Sequence, residues 1–114
     1  LLSNKTIEIQ TNNGKLPLSY SLFEKDALIF KKLNSKKISI LENTIPILTL
    51  ECEDFPHLGI WTKKNAPFLC LEPWLGYSDA VTCSGNILEK EAIQIVEVNE
   101  VFECQFTIEI LATS

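Results

Sequence analysis

Glu72 ends an otherwise apolar run, Phe68, Leu69, Cys70 and Leu71, and is followed at once by Pro73 and Trp74. Apolar runs of this length read as buried strands. Pro73 disfavours helix for the residue before it and has no N–H to give a sheet ladder. Glu72 is therefore expected to be extended and to stand where regular pairing stops. Alternation along the strand places Phe68, Cys70, Glu72 and Trp74 on one face. A half-buried carboxylate among apolar neighbours makes a stronger base, and that makes Glu72 a candidate general base. The plainer reading is a strand-end Glu that faces water.

Few other residues could share that chemistry. His57 is the single histidine, and imidazole is the usual acid or base near neutral pH. Trp61 and Trp74 offer flat surfaces that can stack on an apolar ligand face, although core packing is the commoner fate of tryptophan; Trp74 is the stronger candidate because it shares the face of Glu72. Lys31, Lys32, Lys36 and Lys37, with Lys63 and Lys64, could meet a phosphate, but such a cluster around turns more often forms a solvated tip. The cysteines, Cys52, Cys70, Cys83 and Cys104, show no C-x-x-C and no metal-type spacing with His57. Reduced, structural thiols of a cytoplasmic protein are expected, with Cys70 and Cys104 packing as small hydrophobes within strands.

The stretch F-P-H-L-G-I-W from Phe55 to Trp61, followed by A-P-F-L-C-L-E-P-W-L-G-Y-S-D from Ala66 to Asp79, resembles the aldose 1-epimerase (galactose mutarotase-like) superfamily, most closely its LacX-like branch. The segment L-F-E-K-D-A-L-I-F from Leu22 to Phe30 is similar to a second family segment. The resemblance implies an enzyme that interconverts the α and β anomers of a hexose or related sugar. Glu72 would be the general base, Asp26 would hydrogen-bond sugar hydroxyls, and the acid would be a His from a strand preceding this chain. Asp26 also reads as an ordinary turn Asp bonded to nearby backbone. Relatives show Tyr at the position of His57, so its ring is expected to pack or line the sugar pocket and not to act as the acid. Asp79, although it matches the family block, also reads as a loop cap. In Lys90, Glu91, Ala92 and Ile93, similar to a family K-E-G-I, Ala92 replaces the usual Gly, and a positive φ there is disfavoured. The chemistry needs one base and one acid, and no cofactor or metal.

At 114 residues the chain is one domain at most, whereas members of that superfamily are considerably longer. The resemblance thus implies that residues 1–114 are the C-terminal portion of a single larger domain. A start at Leu1 and the absence of methionine agree with that expectation. The partner implied is then the N-terminal remainder of the same fold, whose absence would leave sheet edges and one face uncovered and the chain prone to associate. A net charge of -5 argues against a nucleic-acid partner, and no apolar run approaches the roughly 20 residues of a membrane helix. A binding or regulatory protein that keeps the sugar pocket without catalysis is the alternative to an enzyme.

The elements that must position these residues are short strands. Alternation is clearest at 102–110, where Phe102, Cys104, Phe106, Ile108 and Ile110 face one way as a half-buried strand. Further strands are expected at 6–11, 28–31, 38–41, 47–52, 59–62, 68–72 and 92–98, with turns near 12–14, 34–35, 42–43, 63–65 and 84–86. A short helical turn is expected at 21–27. The fold class is all-β, and the resemblance sharpens it to part of a galactose mutarotase-like β-supersandwich with mostly antiparallel strands.

Overall fold

The computed structural model describes residues 1–3, 5–7, 11 and 13–111. Its strands are β1 (Leu28–Phe30), β2 (Lys37–Glu42), β3 (Ile45–Glu51), β4 (His57–Trp61), β5 (Cys70–Trp74) and β6 (Thr107–Ile110). They form two antiparallel three-stranded sheets, ordered β1-β4-β5 and β2-β3-β6. Among the described residues the only helical elements are 3₁₀ turns at Tyr20–Phe23 and Ile87–Glu89, so the all-β class holds. No helix there is long and apolar enough to cross a membrane.

The registers explain the core. In the first sheet, Leu28 pairs with Ile60 and Ile60 with Leu71, while Phe30 pairs with Leu58. Residues directly opposite in an antiparallel pair share a face, so these side chains form one apolar face. In the second sheet, Ile38 pairs with Leu50, Ile40 with Leu48, Leu48 with Ile110 and Leu50 with Ile108. The apolar residues fall on one side there too, and Lys37, Ser39, Thr49, Glu51, Thr107 and Glu109 on the other. The two sheets meet in one cluster of Phe23, Leu28, Leu50, Cys52, Leu58 and Ile60. Cys52, fully buried just beyond β3, is its thiol, and burial pushes its pKa up.

The β2–β3 hairpin turns through Asn43 and Thr44, one residue later than expected. Both have positive φ, 50° and 70°, the backbone of a two-residue turn whose twist matches its strands. A bulge at Ile40 and Leu41 accommodates Pro46, which lies outside the stretch of β3 that pairs with β6.

Other expectations are corrected. Residues 92–98 form no strand: Ala92 and Asn99 turn the backbone at either end with φ of 64° and 67°, and no neighbouring strand pairs between them. The positive φ that Ala92 was expected to avoid is thus adopted. Only Thr107–Ile110 of the 102–110 stretch is a strand; among the described residues it pairs with β3 alone and nothing covers its apolar face, so all four of its residues are exposed. Cys104 is exposed and outside any strand, so Cys52 takes the role expected of it. The expected strand at 6–11 lies partly outside the described residues; Thr6, Ile7 and Thr11 are in no strand.

Candidate active site

The face of the first sheet opposite the core carries the residues singled out for chemistry. Ile29 pairs with Gly59 and Gly59 with Glu72, giving a row across three strands whose middle position has no side chain. His57 pairs with Trp74 on one side of that row, and Trp61 with Cys70 on the other. Cys70, Glu72 and Trp74 therefore do share a face, as alternation requires. Phe68 precedes the strand, and its ring packs on Trp61 with centroids 5.7 Å apart.

Glu72 is not at the strand's mouth. Pairing continues through Pro73, opposite Leu58, to Trp74. Pro73 is tolerated because β5 is an edge strand, where a missing N–H need not break a ladder. The half-burial expected of Glu72 is likewise absent: its side chain stands exposed, with no hydrogen bond or ion pair to another described residue. It is an exposed, uncommitted carboxylate held on a rigid strand.

Trp74 is half-buried because its indole folds back over Gly59. A Cβ on Gly59 would lie 2.7 Å from Cζ2 and about 3 Å from Cε2 and Cη2 of the ring. The indole thus fills the gap in the row between Ile29 and Glu72. Trp61, for which core packing was the commoner expectation, belongs to this face and not to the core cluster.

His57 is buried at the start of β4. Its Nδ1 donates to the carbonyl of Lys31 at 2.5 Å, since a carbonyl can only accept. The ring stands edge-on against Tyr77, with centroids 4.9 Å apart. Lys31 Nζ lies 5.0 Å from the centre of the Tyr77 ring and pairs with Glu91 at 3.0 Å. The Lys31 hydrogen bond and charge hold the Glu91 carboxyl below the usual carboxylate range. Burial, then the Glu91 charge, hold the Tyr77 hydroxyl above its ordinary value, with Lys31 acting in the opposite sense. The alternation and turn signals in the sequence did not point to this cluster, nor was Gly59 singled out, although an isolated Gly in an apolar strand is a signal of close approach to the backbone.

Asp26 lies at the head of β1, exposed, and its Oδ1 accepts from the Ala27 N–H at 2.7 Å. That is the local turn bond of the plainer reading, and the structure does not bring Asp26 into contact with Glu72. Among the lysines, Lys31 pairs with Glu91, Lys36 with Glu53 and Lys37 with Glu51, while Lys32, Lys63 and Lys64 are exposed, so the cluster is a solvated surface. Asp79 pairs with Lys90 and its side chain makes no loop-capping bond. An open groove of about 500 Å³ runs between residues 75–78 and 90–94 and includes neither Glu72 nor Trp74. No group of three His, Cys, Asp or Glu side chains able to hold a metal occurs among the described residues.

No protein-family model matches the chain, and no solved structure matches it significantly. Two curated proteins of Lactococcus lactis subsp. lactis do: Protein LacX, chromosomal, and Protein LacX, plasmid, each 39% identical over 80 residues. Those residues are 68% of this chain and 26% of each relative, so the chain spans only about a quarter of the length of the proteins it matches. Over that stretch the chain is a relative of the LacX proteins.

Proposed function

We propose that this chain supplies the general base of an aldose 1-epimerase-like enzyme that interconverts the anomers of a hexose or related sugar. The observation that carries the reading is the uncommitted Glu72 carboxylate beside the indole of Trp74 on the face away from the core. A base needs access to its proton, and a pyranose needs an apolar wall beside it. The relationship to the LacX proteins and the resemblance of the E-P-W block to the mutarotase-like superfamily support the same reading, within a larger β-supersandwich of which residues 1–114 are the C-terminal portion.

The reaction is two proton transfers around a bond rotation. Glu72 takes the proton of the C1 hydroxyl while an acid protonates the ring oxygen, so that the C1–O5 bond breaks and an open-chain aldehyde forms. Rotation about C1–C2 presents the other carbonyl face. Closure returns the proton from Glu72 to the C1 oxygen and takes the ring-oxygen proton back onto the acid. His57 is not that acid, because it is buried with Nδ1 committed to Lys31; its role in the proposal is to line the pocket through Trp74 and Tyr77. The acid comes from elsewhere in the whole protein, a cytoplasmic enzyme in this reading. Asp26 contributes through Oδ2, the oxygen that Ala27 leaves free, to a sugar hydroxyl.

The solvent exposure of Glu72 and the commitment of His57 favour one other reading, a carbohydrate-binding or regulatory protein of the same fold without catalysis. Anomer equilibration followed by NMR separates them, using a panel of hexoses and hexose 6-phosphates with the full-length protein and its Glu72→Gln variant. Acceleration by the parent that falls about 10²-fold or more in the variant supports the enzyme. Sugar binding without acceleration by the folded parent supports the binding protein.

A further inference from the structure

We propose that Gly59 is a positioning residue for sugar recognition: its missing side chain is the seat that holds the Trp74 indole as the apolar wall of the site beside Glu72. This inference rests on the functional reading above and deepens it.

The row Ile29, Gly59, Glu72 explains why a glycine is useful there. Side chains from adjacent strands in one row stand about 5 Å apart and normally fill the surface of the sheet. Gly59 leaves a hole in the middle of the row, flanked by Ile29 and Glu72. Trp74 is one pair further along, opposite His57, and fills the hole from the side. A residue with a Cβ at position 59 would stand 2.7 Å from the ring, closer than two carbons can approach. The clash is with the outer, six-membered part of the indole, which can swing away while the β4 backbone stays in place. The effect of a side chain at 59 is then to lift the indole off the sheet.

The face chosen for the indole matters. Folded over Gly59, it occupies the row position that pairs with Glu72, whose carboxylate is exposed. Swung outwards, it would leave the hole open and lose the fixed distance between an apolar wall and the base. Aromatic residues contribute to sugar binding through a flat surface held at a set place, and a β-strand with a neighbouring glycine is a rigid way of setting it. His57, which pairs with Trp74 across the strands, stands edge to face with Tyr77 at 4.9 Å at the same end of the face.

The test is a cycle of the full-length parent, Gly59→Ala, Trp74→Ala and the double variant. Four quantities are read: the Trp74 contribution to near-ultraviolet circular dichroism, sugar affinity by NMR titration, and KM and kcat for anomer exchange. Gly59→Ala is expected to change the Trp74 signal and to weaken sugar binding about fivefold to tenfold. The loss should appear in KM, with kcat within about twofold. In the Trp74→Ala background the same Gly59 substitution should cost nothing further, because the ring it displaces is gone. An unchanged Trp74 signal, or an equal loss with and without the indole, overturns the proposal. If Gly59→Ala alone fails to fold, recovery of the fold in the double variant supports the contact and failure to recover overturns it. A folded parent that neither binds nor equilibrates any sugar overturns the functional reading itself, and is distinct from a parent that binds sugar equally well with Ala at position 59.

Discussion

The carboxylate of Glu91 meets the ammonium of Lys31 at 3.0 Å, across 60 residues of sequence. Lys31 follows β1 directly, and Glu91 sits in the turn beyond the second 3₁₀ element, so the pair ties that turn to the sheet that carries Glu72. The same ammonium lies against Tyr77, and the carbonyl of Lys31 fixes His57. A single residue thus joins the turn to both aromatic partners at the Trp74 end of the site.

This tie is expected to be pH-dependent with a definite sign. The folded pKa of Glu91 is depressed, so its contribution to stability is present above the ordinary carboxylate pKa of about 4.3 and is lost as pH falls through the lower folded value. The parent should therefore melt above Glu91→Gln at pH 7, and the two should converge in the acid range below about 4.3. Because both partners are exposed, added salt should shrink the difference at pH 7. A gap between the two melting curves that widens on acidification would refute the assignment.

Thr44 and Ala92 hold the left-handed backbone at φ of 70° and 64°. For residues with a Cβ that conformation costs about 1–2 kcal/mol. Replacing either by Gly should stabilise the protein by about 0.5–1 kcal/mol after the added freedom of the unfolded chain is subtracted. Thr44→Gly also creates the Asn-Gly pair favoured in such hairpins. Denaturant midpoints measure it, and a midpoint lowered by Ala92→Gly would mean that the methyl makes a contact worth more than its strain.

The strands around the site were legible because their periodicity is strong. The expected 28–31, 38–41, 47–52 and 59–62 match β1 to β4 to within two residues, and the face shared by Cys70, Glu72 and Trp74 follows from alternation alone. What was not legible depends on partners far along the chain. The alternation of 102–110 marks Ile108 and Ile110 as members of an apolar face, and the register with Leu50 and Leu48 agrees. Their burial depends on what covers that face, and among the described residues they stand 55% and 81% exposed. The apolar flanks of Glu72 likewise say nothing of which side of the sheet is covered, so alternation alone did not choose between a half-buried carboxylate and one that faces water, and Glu72 is exposed. The Lys31, Tyr77 and Glu91 cluster has no periodicity at all.

Leu58 is the largest fully enclosed side chain among the described residues and is the second residue of β4, the middle strand of its sheet. Leu58→Ala should destabilise the protein by about 2–5 kcal/mol, the loss of buried methyl groups plus the cavity they leave. Equilibrium unfolding measures it. A cost under about 1 kcal/mol would place Leu58 outside a close-packed core.

The thiols should differ in reactivity. Cys83 and Cys104 are exposed, whereas Cys52 is enclosed and its thiolate is disfavoured by burial. Alkylation at pH 8 followed by peptide mass spectrometry should modify Cys83 and Cys104 first and Cys52 only on unfolding, because the reactive form is the accessible thiolate. Early labelling of Cys52 in the native protein would contradict the packing between the sheets.

Glu72→Asp tests how much of the proposed chemistry lies in position and how much in charge. The variant keeps a carboxylate on the same face of β5 but withdraws it by one methylene towards the strand, away from the plane that Trp74 sets. If the carboxylate moves a proton directly, a displacement of about 1 Å should lower kcat about 10²-fold. KM should change little, because the sugar's wall and hydroxyl partners are intact. If Glu72 acts only as a charge near the sugar, the shorter side chain should retain most of the rate, since an exposed charge is felt over several ångströms with shallow distance dependence. The ratio of the Glu72→Asp and Glu72→Gln rates in anomer exchange therefore decides between a base in contact with the C1 hydroxyl and a distant electrostatic contribution. Near-parent activity in Glu72→Asp with deep loss in Glu72→Gln would rule out contact.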